Sequence, residues 1–180
     1  MTHGKPPAGA IESLRNDHKL LSQLAERCLA AARHGHLTQQ SMLTERMCRM
    51  LALHSLITEE ILYPEARKHD DELVADLLFE QQEMLAAAGR LRSLAASEPE
   101  YDVTLRGLAD RVERHIGKSE AALFPLLERQ IPAELLCGLA LELKQRRQLL
   151  HARVGHEEHD LRAFRSTRSS HSTDLRARAA

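Results

Sequence analysis

Apolar residues recur along most of this chain at spacings of three and four, the period of an α-helix with one buried face. Ile11, Leu14, Leu21 and Ala25 form such a stripe and share it with His18, which predicts a helix from about Gly9 to Arg33, after the loose Pro6–Pro7 segment. Gly35, between His34 and His36, suits the end of that helix. A second stripe (Leu43, Met47, Met50, Leu51, His54, Ile61) predicts a helix that starts at Thr38 or Ser41 and runs towards Tyr63 and Pro64. Asp70 and Asp71 offer a cap for a third helix from Leu73 to about Ala96, striped by Leu77, Gln81, Met84, Ala88 and Leu91. The stretch Ser97 to Glu100 breaks the chain. A fourth helix from about Asp102 carries Leu105, Leu108, Val112, His115, Ser119 and Ala122 towards Phe124 and Pro125.

After Ile131 and Pro132 a fifth helical segment reaches about His159, and from Leu161 the chain is rich in Ser and Arg and reads as a disordered tail. The predicted organisation is a flexible segment over 1–9, a bundle over 10–130, a C-terminal helix over 131–160 and a tail over 161–180. Four long amphipathic helices with short connections predict an all-α, up-down-up-down four-helix bundle.

Composition removes the competing fold classes. The 180 residues include 31 Leu and 24 Ala against 5 Ile and 4 Val, with 3% aromatics and no Trp. Leu and Ala favour helix, whereas β-branched and aromatic residues favour strands. Lys and Arg number 25 and Asp and Glu 26, a net charge of −1 that lacks the uniform basic field of a nucleic-acid binder. No stretch approaches the roughly 20 apolar residues of a membrane span. Met1 to Ala10 has no apolar segment like that of a signal peptide, so a cytoplasmic location is expected. Cys28, Cys48 and Cys137 are widely spaced and odd in number, which fits reduced thiols. There is no glycine-rich phosphate loop and no nucleophile elbow, and spacing alone assembles no catalytic triad.

The chain repeats itself. His54, four residues, Glu59, three residues, Tyr63 and Pro64 match His115, four residues, Glu120, three residues, Phe124 and Pro125, at a constant offset of 61. An acid-led pair precedes each copy, Asp17-His18 in the first and Glu80-Gln81 in the second. Two helix-pair units related by duplication are the simplest account.

His18, His54 and His115 therefore sit in apolar stripes on three helices. A buried imidazole needs a partner for its ring nitrogens, and one such residue alone reads as a satisfied core histidine. Three at matching places in a duplicated frame point instead to a metal site built from facing helices. Imidazole with carboxylate suits iron, zinc or manganese better than calcium or magnesium. A residue four after a His lies about 40° round the helix, and one five after lies about 140° round. Thr58 and Ser119 hold the first kind of place, Glu59 and Glu120 the second. The two Glu reach an inner site only if it lies between helices or the helix is distorted, so both ligand and solvated readings stay open. Glu60 points further off and reads as solvated.

These residues together resemble the hemerythrin-like (HHE cation-binding) family over roughly residues 10 to 130. The resemblance rests on Asn16-Asp17-His18, His54 with Glu59 to Pro64, Glu80-Gln81, and His115 with Glu120 and Leu123 to Pro125. It implies a non-haem iron site of one or two ions inside the bundle, with His18, His54, Glu59, His115 and Glu120 as ligands. It also implies a role in sensing or handling iron, dioxygen, nitric oxide or peroxide rather than bulk oxygen transport. The set departs from the family pattern at Thr58 and Ser119, where Glu is common, and at Gln81, where the family has His. Three arrangements follow: one ion held by two or three His and a carboxylate, a loosely held asymmetric pair, or a bundle that has lost its metal. A non-haem iron peroxidase or oxidase and a metal-free interaction bundle are the competing functions, and a protein partner or homodimer through the C-terminal helix is compatible with each.

The remaining signals are weaker. His151, His156 and His159 do not form HExxH, because the last two are three apart, and they read as a solvated helix end. His34, His36 and His69 fall at predicted helix ends. Met47 and Met50 read as core filling, and Lys144 to Arg147 as a solvated face.

Overall fold

A computed structural model describes residues 9–150. The segment 1–8, the predicted end of the C-terminal helix with His151, His156 and His159, and the tail lie outside the described residues. The described residues contain helices and no strands. Helix α1 spans Ala10–Arg33, α2 Leu37–Ile57, α3 Tyr63–Ala66, α4 Asp71–Ser93, α5 Pro99–Lys118 and α6 Phe124–Gln130. A π turn over Thr58–Leu62 joins α2 to α3, and a second over Ser119–Leu123 joins α5 to α6. Four helical rods result. α1 packs on α2 and α5, and α4 packs on α5 and α2.

The caps explain the boundaries. At the end of α1 the His36 N–H bonds the Ala31 carbonyl at 3.0 Å and the Gly35 N–H that of Ala32 at 3.1 Å. Gly35 has φ of 68°, the left-handed conformation this double bond requires and glycine adopts without cost. That tight turn starts α2 at Leu37, ahead of the Thr38 or Ser41 caps expected from sequence, and its N-cap is His36 with no side-chain bond. Asp70 caps α4 as expected, accepting from the Leu73 N–H at 2.9 Å. Pro99 does not break the chain but opens α5, three residues before the expected start. The fixed φ of proline suits the first turn, where its missing N–H leaves nothing unsatisfied.

Both π turns have the same cause. The Tyr63 N–H bonds Thr58 O and the Phe124 N–H bonds Ser119 O, each reaching five residues back instead of four. One residue later stand Pro64 and Pro125. A proline has no N–H for the carbonyl four residues earlier and its ring collides with that carbonyl, so each rod takes in one extra residue as a π turn.

The apolar core joins all four rods, with Leu21, Leu24 and Cys28 of α1, Met47, Cys48 and Leu51 of α2, Met84 and Leu91 of α4, and Leu105, Leu108 and Val112 of α5. Each such side chain, fully buried, contributes about 1.5–3 kcal/mol. A second buried group, Leu14, Leu62, Leu77, Leu123, Phe124 and Leu127, lies outside that cluster. Cys28 and Cys48 are buried free thiols and Cys137 is exposed. No helix among the described residues is long and apolar enough to cross a membrane. Residues 133–143 are helical, with Leu139 and Leu143 buried. A second unit begins at Lys144, of which 144–150 are described and helical.

Candidate metal centre

The helical stripes that carry the core also carry the histidines. His18 lies in the third turn of α1, His54 in the last turn of α2 and His115 in the last turn of α5. Their exposures are 2%, 1% and 2%. One ring nitrogen of each lies within 4.8 Å of the others, and this trio is the candidate metal-binding group among the described residues. The ring centroids of His18 and His54 are 5.0 Å apart, those of His54 and His115 6.0 Å, and those of His18 and His115 6.2 Å. Phe124 stacks on His18 at 5.3 Å and 16°. The Arg15 guanidinium lies over the Phe124 ring at 5.5 Å.

Each imidazole has a carboxylate at Nδ1. His54 Nδ1 is 3.5 Å from Asp17 Oδ2, across the contact of α1 with α2. His115 Nδ1 is 3.5 Å from Glu80 Oε2, across the contact of α4 with α5. His18 Nδ1 is 3.2 Å from Glu120 Oε1. The first two distances are longer than a formed hydrogen bond, so these are ion-pair approaches that a small adjustment would close. Asp17 is buried with its histidine, at 1% exposure. Glu80 is partly buried and also receives the Lys118 ammonium on Oε1 at 2.6 Å.

The electrostatics keep two of the rings neutral. Burial pushes the His18 pKa down to about 2, with the neighbouring His54, His115 and Arg15 adding to the effect. Burial also lowers His115, against the opposing pull of Glu80. Glu80 itself is held below its ordinary value by His115 and Lys118. A neutral imidazole is the form that donates a lone pair to a metal.

The hemerythrin HHE cation binding domain matches residues 9–127 of this chain. The chain belongs to that family. Over 106 residues it is also 29% identical to a DNA nickase of Nostoc sp. (strain PCC 7120 / SAG 25.82 / UTEX 2576), an alignment that takes in 58% of this chain and 30% of that protein. The chain thus spans less than a third of the relative's length. No solved structure gives a significant match.

Within this HHE domain the sequence-predicted site residues separate into two groups. His18, His54 and His115 come together. Glu120 reaches His18 from the facing rod, at Nδ1, with its side chain 42% exposed. Glu59 lies on an exposed surface. As the angular reasoning expects, the residues four after each His, Thr58 and Ser119, are the buried ones, and both Glu lie off that face; the angle is the same for the two Glu and does not distinguish them. Gln81 is buried too. Its Nε2 donates to Thr58 Oγ1 at 2.8 Å, and the Thr58 hydroxyl lies within reach of the His54 and Ser55 carbonyls at 2.9 and 3.0 Å. Gln81 Oε1 is buried without a partner. Asp17 and Glu80 were visible in the sequence only as an acid recurring before positions 18 and 81, and their role at the two Nδ1 atoms needed the structure.

The donor set fits a first-row transition metal. Three imidazoles, two of them held neutral by their surroundings, suit iron, zinc or manganese, whereas calcium and magnesium require oxygen. Three nitrogens spread evenly round one ion at about 2.1 Å lie about 3.6 Å apart, so rings whose nitrogens stand within 4.8 Å of one another would draw in by up to about an ångström. The fourth rod carries a buried amide, Gln81, in place of an imidazole.

Proposed function

We propose that this HHE domain binds a non-haem metal ion, iron in keeping with its family, at His18, His54 and His115, in an up-down-up-down bundle. The observation that carries the reading is the convergence of three buried imidazoles from three rods, each with a carboxylate at Nδ1. Isolated in an apolar interior, those rings would carry desolvation penalties that a shared cation removes. Glu120 and Asp17 bring negative charge beside the ion, and Phe124 and the surrounding leucines exclude water. With His18, His54 and His115 as its protein ligands, a bound iron would offer a place for dioxygen, nitric oxide or peroxide, in keeping with a sensing or handling role. Nicking of DNA is not carried over, because the aligned region is 30% of the nickase.

A second reading has its own observation. Gln81 and Thr58 bond each other where the family resemblance leads one to expect metal ligands, which supports a bundle that keeps the frame and works without metal. One experiment separates the two. The chain is reconstituted anaerobically with ferrous iron beside a His54→Ala control, and iron per chain is measured after desalting. One iron or more per chain, lost in the variant, supports the metal centre. Equal and negligible iron in both supports the metal-free bundle.

A further inference from the structure

Three histidines share an interior, and a neutral imidazole carries its proton on one nitrogen or the other. The choice decides whether a ring can serve the centre, because only the unprotonated nitrogen has a lone pair to give. At each ring the acid stands on the same atom: Asp17 on Nδ1 of His54, Glu80 on Nδ1 of His115 and Glu120 on Nδ1 of His18. A carboxylate accepts and cannot donate, so it favours a proton on the nitrogen it faces.

We infer that Asp17 and Glu80 are positioning residues that hold the proton on Nδ1 of His54 and of His115, turning the Nε2 lone pair of each ring towards the shared centre, and that Glu120 does the same for His18. The inference builds on the metal reading for its purpose, but not for its test. Two features set Asp17 and Glu80 apart from ordinary surface acids. They occupy equivalent places in the duplicated frame, one residue before His18 and one before Gln81, and each crosses to the histidine at the end of its own helix pair. Asp17 is also buried with its ring, where a carboxylate without a purpose would be costly. Glu80 is steadied by Lys118, which holds Oε1 at 2.6 Å and leaves Oε2 for His115. The grip on His18 is expected to be weaker, because Glu120 is 42% exposed on its side chain and water competes for it.

The test reads the tautomer of each ring directly, in the full-length, metal-free, nitrogen-15-labelled protein at pH 8, by two-bond proton–nitrogen correlation. The expected wild-type result is a protonated Nδ1 and a bare Nε2 on His54 and His115, the reverse of the form favoured by free histidine. Asp17→Asn places an amide N–H against Nδ1 of His54 and is expected to move that proton to Nε2, leaving His115 unchanged. Glu80→Gln is expected to do the same to His115 alone. In each variant the apparent affinity for ferrous iron falls roughly 10–100-fold. A purely structural role would lower stability and leave both tautomers alone. Protonated Nε2 in the wild type, or tautomers unmoved in both variants, overturns the inference. If Asp17→Asn fails to fold, Glu80→Gln, at a partly exposed site, decides the matter on His115. Tautomers that switch as expected in a protein that retains no iron uphold the positioning role and overturn the metal reading instead.

Discussion

The first helix pair places Asp17 and His18 against His54, while the second places Glu80 against His115 and buries Gln81 against Thr58 of the first pair. The acid-to-histidine brace is the same in both, and so is the π turn that follows the second helix. What differs is how each pair meets the other. Glu120 of the second pair crosses to His18. The equivalent crossing from the first pair would bring Glu59 to Gln81, but Glu59 stays on the surface and Thr58 takes its place, hydrogen-bonded to Gln81. A single exchange of imidazole for amide thus accompanies a change in which residue meets it, Glu120 at His18 and Thr58 at Gln81. The frame tolerates either solution because the leucine layers beside it, at about 1.5–3 kcal/mol per buried side chain, offset the cost of the polar layer.

The largest expected effect comes from making the halves identical. His18→Gln leaves two imidazoles in the centre. Iron retained after anaerobic reconstitution should then fall to the level of His54→Ala, a loss exceeding the roughly 10–100-fold expected from removing an orienting acid. The reciprocal change, Gln81→His, adds a fourth imidazole and should let the protein hold iron against a higher chelator concentration. It also deletes the bond to Thr58, worth about 0.5–1.5 kcal/mol to the metal-free fold. Iron content unchanged by either substitution would break the proposed asymmetry.

Acid should destabilise the metal-free protein through the same layer. His18 has a pKa of about 2 in the fold against the ordinary 6.5, and His115 is also lowered. Unfolded chains bind these protons from about pH 6.5 downward, whereas folded chains resist them. The contribution to stability is therefore present above about pH 6.5 and is lost progressively as the pH falls. Glu80, lowered below its ordinary 4.5, extends the loss in the same direction below that value. The urea midpoint measured from pH 8 to 5 should decline, and His18→Gln, which removes one of the two lowered histidines, should flatten the decline.

Much of this was legible in the chain itself, and the failures share a physical origin. The helices, the capping Asp70 and the inward stripe of His18, His54 and His115 follow from periodicity, which reports the buried face of a rod. Gly35 declared its left-handed turn. Pro99 misled because proline marks the end of one helix and the first turn of another equally well. The π turns were written in the sequence as Tyr63-Pro64 and Phe124-Pro125, but a five-residue hydrogen bond is a response to a proline clash and has no composition of its own. Periodicity within one helix also cannot show that Glu120 crosses to His18, or that Asp17 and Glu80 reach across to His54 and His115, since those contacts belong to pairs of rods.

The smallest effects test the comparison most finely. Thr58→Val keeps the shape of the side chain and removes the oxygen that accepts from Gln81 Nε2. A buried amide left without an acceptor costs about 1–3 kcal/mol, so chemical denaturation of the metal-free protein should register a loss of that size. Ser119 occupies the matching place in the second half and is equally buried, but the residue at the place of Gln81 there is His18, which meets Glu120 instead. Ser119→Ala should cost less than about 1 kcal/mol, with alanine's helix propensity recovering part of it. Removing both ends of the Thr58–Gln81 bond, in Thr58→Val with Gln81→Leu, should restore most of the stability lost in Thr58→Val alone, because apolar groups of similar shape leave no polar atom stranded. Equal losses at Thr58 and Ser119, with no recovery in the double variant, would mean that the amide–hydroxyl bond is not what distinguishes the two halves. Unequal losses with recovery would place the difference at Gln81, the one corner of the polar layer where the duplicated frame carries an amide in place of an imidazole.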